Sequence, residues 1–91
     1  MALRVELAPA AVRQLRRLRD AESLALRGVI LALGEDPFPP GSGKLAGSDL
    51  LRLRVRIDGA PWRVVYQVRE AAGVVVVSRV ARRDESTYRR L

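Results

Sequence analysis

The side chains in this sequence with chemistry to offer are arginines, one lysine and a few aromatic rings. The chain has no histidine and no cysteine. That removes imidazole acid–base catalysis and Ser-His-Asp triads, along with disulfides and thiolate metal sites, and it makes zinc a poor fit. The carboxylates are scattered, mostly beside arginines, and no pair is spaced for magnesium. The expectation is therefore a protein without metal or cofactor. Lys+Arg number 17 against Asp+Glu 10, a formal charge of +7, and Lys44 is the one lysine. Guanidinium groups stay protonated and fork onto phosphate oxygens, which suits a polyanionic partner. Arginine-rich codon usage would give the same composition, so placement has to decide.

Placement favours a binding face. Arg52, Arg54 and Arg56 alternate with Leu51, Leu53, Val55 and Ile57, the period of a strand with one apolar and one basic side. Same-face neighbours on a strand stand ~6.5–7 Å apart, comparable to successive phosphates of a nucleic-acid strand. Like charges so placed repel. The alternative is a solvated strand face relieved by Asp58 or Glu70. Further on, Arg82 and Arg83 follow the last strand and Tyr88 lies just beyond. A phenol among guanidinium groups has its phenolate favoured, so Tyr88 is a candidate base or a stacking platform for a nucleobase. Trp62 and Tyr66 fall on the apolar register of their strand and read as core. Gly41-Ser42-Gly43-Lys44-Leu45-Ala46-Gly47 has the composition of a phosphate-binding loop but neither its full spacing nor a preceding strand.

The elements that must position these residues are legible in the pattern. Leu3, Val5 and Leu7 alternate with Arg4 and Glu6 as a first strand. Pro9 suits a helix start, and Val12, Leu15 and Leu18 recur at helical spacing. Asp20 or Ser23 would cap a second helix with the stripe Leu26, Ile30 and Leu33, and Gly34 would end it. The proline- and glycine-rich stretch 36–43 is a loop. Three strands then follow, Leu51–Ile57, Trp62–Arg69 and a more deeply buried Val74–Val80, separated by turns at 58–61 and 71–73. The tail, 81–91, is polar and would end in a short helix. The expected architecture is α+β over residues 1–91 as one domain: a strand, a helical hairpin, then a three-stranded antiparallel meander with both helices on one sheet face. No apolar run reaches the ~18–20 residues of a membrane span, and no export signal is visible, so the expected location is cytoplasmic with no membrane partner.

At this point a resemblance enters. Lys44-Leu45-x-Gly47, Leu51-Arg52-Leu53-Arg54-Val55, Trp62-Arg63-Val64-Val65-Tyr66-Gln67-Val68, Val80-x-Arg82-Arg83 and Tyr88, in that order and spacing, resemble the RelE/ParE superfamily of type II toxins, the RelE-like branch above all. The resemblance implies a toxin that enters the ribosome, cleaves bound mRNA and is neutralised by a cognate antitoxin wrapping around it. Attack of the 2′-hydroxyl on the adjacent phosphate would leave a 2′,3′-cyclic phosphate and a 5′-hydroxyl. Position by position it implies Arg63 and Arg83 on the reacting phosphate, Tyr88 as base, and Arg52 and Arg54 on flanking phosphates. Lys44, Arg56 and Arg82 extend the RNA-binding set. Family members often carry lysine where this chain has Arg52 and Arg54, and arginine is a poor general acid. Two alternatives stand beside this reading: a ParE-like inhibitor of DNA gyrase without catalysis, and a catalytically inactive RNA-binding relative. In each case an acidic amphipathic antitoxin segment is the expected partner.

Overall fold

The computed structural model describes residues 2–83. The first strand, β1 (Arg4–Leu7), leads into helices α1 (Pro9–Arg16) and α2 (Asp20–Glu35). Four strands follow: β2 (Ser42–Lys44), β3 (Leu51–Ile57), β4 (Ala60–Arg69) and β5 (Val74–Arg82). They form one five-stranded sheet in the order β1-β5-β4-β3-β2. The β2–β3, β3–β4 and β4–β5 pairs are antiparallel, while β1 runs parallel to β5. The α+β class, the helical hairpin and the meander are as the sequence pattern predicts.

One sheet face carries the core. Leu51, Leu53, Trp62, Val64, Tyr66, Val75, Val77 and Val80 pack against Ala11 and Leu15 of α1 and against Leu26, Ile30 and Leu33 of α2. Tyr66 and Trp62 are both buried, and the Tyr66 hydroxyl donates to the Pro37 carbonyl at 2.7 Å. That bond ties the proline-rich loop to the sheet. Burial pushes the Tyr66 phenol above its usual range, outweighing a hydrogen bond with Ser42 that acts the other way.

Three local features differ from expectation. Part of the predicted loop pairs with β3 as β2, an edge strand too short and too glycine-rich to show in periodicity. Gly34 lies inside α2 rather than after it. A Cβ there would meet the Leu3 carbonyl oxygen at 2.6 Å, so glycine is needed for β1 to pass close to the helix. Finally, α2 begins at Asp20 with Arg19 at the N-cap and no side-chain cap; Asp20 and Glu22 instead place carboxylates in the first turn, where the helix dipole favours them.

Candidate nucleic-acid interface

The sheet face turned away from the helices is assembled by register. Arg54 stands directly opposite Arg63, which in turn faces Ala81; Arg52 faces Val65, which faces Arg79. Cross-strand partners share a face, so Arg52, Arg54, Arg56, Arg63 and Arg79 all lie on this open side. The alternation of β3 makes this possible, because each core leucine or valine forces its neighbour outward. A β-bulge between Val65 and Tyr66 lets β5 skip a residue there, and Ser78 donates from its hydroxyl to the Val65 carbonyl at 3.2 Å.

The arginines are not equivalent. The Arg52 guanidinium donates to the Gly41 carbonyl at 3.0 Å and lies over Gly43, where a Cβ would come within 3.1 Å of it. Arg56 folds over its own hairpin turn and donates to the Gly59 carbonyl at 3.1 Å. Arg54 is exposed; its backbone N–H donates to the Gly41 carbonyl at 3.2 Å, and among the described residues its guanidinium has neither a hydrogen bond nor an ion pair. Arg63 is half-buried, and its Nε is shut away from solvent with no acceptor among the described residues. A buried donor without a partner is costly, and so is a like charge directly across the strand pair. A face kept only for solubility has no need of either.

Arg83 completes the arrangement. Its backbone N–H donates to the Pro61 carbonyl at 2.9 Å, which extends the β4–β5 pairing past the end of β5. The side chain is brought to a cleft of about 230 Å³ lined also by Arg54, Val55, Arg56, Pro61 and Trp62. The Trp62 indole N–H, like the Arg63 Nε, is buried with no acceptor among the described residues. The cleft thus gathers three guanidinium groups with a fourth, Arg63, paired across from Arg54. This can grip a phosphate through forked hydrogen bonds and offset negative charge on its oxygens. Neither Asp58 nor Glu70 relieves these arginines. Among the described residues the open-face ion pair is Arg4–Glu6 at 3.2 Å, near the far edge.

Two residues of the sequence-based set are placed elsewhere. Lys44 registers with Leu51, on the helix side of the sheet, and shares a depression with Asp49 and Glu70. Arg82 registers with Trp62, also on the helix side, where it borders a hollow with Gln14, Arg17 and Glu22. The structure does not bring either together with Arg54 and Arg63. Arg79, exposed on the open face beside Val65, was missed in the sequence because its strand reads as wholly buried. Tyr88 lies outside the described residues.

Comparison with known proteins agrees with the fold. Residues 5–87 match the family model for the ParE toxin of the parDE type II toxin–antitoxin system. No curated protein sequence matches the chain. Among solved structures, the toxin of the intact Escherichia coli RelBE toxin–antitoxin complex aligns at 26% identity and TM-score 0.74, covering 92% of this chain and 100% of that one. The archaeal RelE–RelB complex of Pyrococcus horikoshii OT3 gives 27% identity and TM-score 0.72, covering 93% and 99%. The Mycobacterium tuberculosis RelBE2 complex gives TM-score 0.79 at 20% identity, covering 91% and 100%, a likeness of fold alone.

Proposed function

This chain belongs to the ParE toxin family of type II toxin–antitoxin systems, within the RelE/ParE superfamily, and from that premise we propose that it is an antitoxin-neutralised toxin that cleaves mRNA on the ribosome. The observation that carries the reading is Arg63, whose Nε is buried with no acceptor among the described residues while its cross-strand neighbour is Arg54. Such a group is pre-desolvated for a phosphate oxygen.

In this reading Arg63 and Arg83 hold the scissile phosphate. The 2′-oxygen attacks phosphorus as its proton passes to a base. The bond to the 5′-oxygen breaks, and that oxygen takes up a proton from water, so that a 2′,3′-cyclic phosphate and a 5′-hydroxyl end result. The arginines stabilise charge on the non-bridging oxygens as it builds. Being always protonated, they do not take the 2′-hydroxyl proton. The resemblance to RelE-like toxins assigns that proton to Tyr88, in keeping with a chain that has no histidine. Arg54 and Arg79 bind flanking phosphates, and Arg52 and Arg56, already tied to backbone carbonyls, shape the rim. The antitoxin's apolar side chains find a cleft of about 300 Å³ between α2 and β3, lined by Val29, Ala32, Leu33, Pro39, Leu53 and Val55.

The match to the ParE model favours a second reading, inhibition of DNA gyrase by a non-catalytic toxin using the same basic face. Induction of the chain in cells, with mRNA ends and plasmid supercoiling measured in the same samples, separates the two. The nuclease reading expects 5′-hydroxyl mRNA fragments and normal supercoiling. Intact mRNA with relaxed plasmid would replace it with the gyrase reading.

A further inference from the structure

Among the described residues nothing covers the outer side of α2. Leu24 and Leu31 are 73% and 67% exposed and sit seven residues apart, two helical turns along one side. Gly28 lies between them, and a Cβ at Gly28 would meet nothing within 4 Å. A glycine inside a helix destabilises it relative to alanine, and nothing among the described residues requires a side chain to be absent there. A close approach by another helix would.

Charge narrows what that helix is. Although the chain carries +7, α2 holds Asp20, Glu22 and Glu35 against Arg27 alone. An acidic antitoxin segment is repelled by this side and attracted to others. A second copy of α2 fits better. In an antiparallel pair centred between Arg27 and Gly28, Leu24 of each copy meets Leu31 of the other, and the two Gly28 backbones lie at the closest approach. Arg19, just ahead of one helix, then meets Glu35 and Asp36 at the end of the other, twice by symmetry, offsetting the approach of Asp20 to Glu35. Antiparallel helix dipoles add to the match.

We propose that the chain forms a two-fold dimer through the outer face of α2, with Gly28 at the crossing and Leu24 and Leu31 as its apolar contacts. The hairpin lies on the sheet side opposite Arg54 and Arg63, so each copy keeps its basic face open. Two helices about 24 Å long bury less than the roughly 800 Å² per partner of a standard interface. The dimer is therefore concentration-dependent, with a dissociation constant on the order of 10–100 µM.

Sedimentation equilibrium on the chain, separated from any co-expressed partner in denaturant and refolded, tests this. The wild type should pass from monomer to dimer in that range. Gly28→Leu fills open space in the monomer, so its thermal midpoint should be unchanged or higher while dimerisation weakens at least about tenfold. Leu24→Glu should do the same to the dimer. A wild type that stays monomeric, or a dimer indifferent to Gly28→Leu, overturns the proposal. So does a monomeric chain whose Leu24→Glu variant loses its co-purified antitoxin, which would assign the face to that partner.

Discussion

Replacing Arg63 by methionine should make the protein more stable and less functional at once. Truncating a half-buried side chain ordinarily costs stability, but here the methionine keeps the aliphatic stem over the sheet and removes two penalties. The buried Nε, with no acceptor among the described residues, costs about 1–3 kcal/mol, and the directly opposed Arg54 adds roughly 0.2–1 kcal/mol. Allowing for lost packing, the net gain is on the order of 1–2 kcal/mol. For a domain of this size each kcal/mol moves the thermal midpoint by about 4–8 °C, so Arg63→Met should melt several degrees higher by far-ultraviolet circular dichroism. A short RNA oligonucleotide at about a hundred times its dissociation constant should then stabilise the wild type by about 2.7 kcal/mol and the variant far less. If Arg63→Met instead melts lower, and RNA stabilises both proteins equally, the idea that this arginine is held desolvated for a phosphate is wrong.

Further expectations follow from the same geometry. Arg54→Ala should reduce the slope of log binding against log salt for single-stranded RNA by about 0.7, whereas Lys44→Ala and Arg82→Ala, on the helix side of the sheet, should leave it unchanged; a fluorescence-anisotropy salt titration reads this out. Gly34→Ala should cost about 1–3 kcal/mol in urea denaturation, because its Cβ would run into the Leu3 carbonyl oxygen. Tyr66→Phe should cost about 1 kcal/mol at neutral pH through the lost bond to Pro37. Because burial raises the folded phenol above its unfolded value of 10.0, the wild type binds that proton more tightly when folded. Its stability is full below pH 10 and falls as pH rises through the folded value, so the difference from Tyr66→Phe should shrink in alkaline urea titrations.

Much of this molecule is readable from side-chain periodicity, and what is not has identifiable causes. The alternation Leu51-Arg52-Leu53-Arg54-Val55-Arg56 fixes both the core and the basic face, since a one-residue slip would bury three arginines. The stripe Leu26, Ile30 and Leu33 fixes the inner side of α2. Strand β2 was hidden because Ser42-Gly43-Lys44 is short and pairs only through its backbone. The sidedness of Lys44 and Arg82 depends on pairing partners that spacing along one strand does not reveal. Arg79 was concealed because a run of valines masks alternation, and because the bulge at Val65 decides which residues of β5 face out. The unequal state of the arginines, with Arg52 and Arg56 tied to carbonyls and Arg63 left unsatisfied, is a property of three-dimensional neighbours alone.

The most direct test of the central claim is primer extension on mRNA held in reconstituted translating ribosomes, comparing the wild type with Arg63→Ala and Arg83→Ala. The account predicts cuts with 5′-hydroxyl ends from the wild type and loss of those cuts in both variants. Cuts that persist in both variants, or no cuts from the wild type, would contradict it.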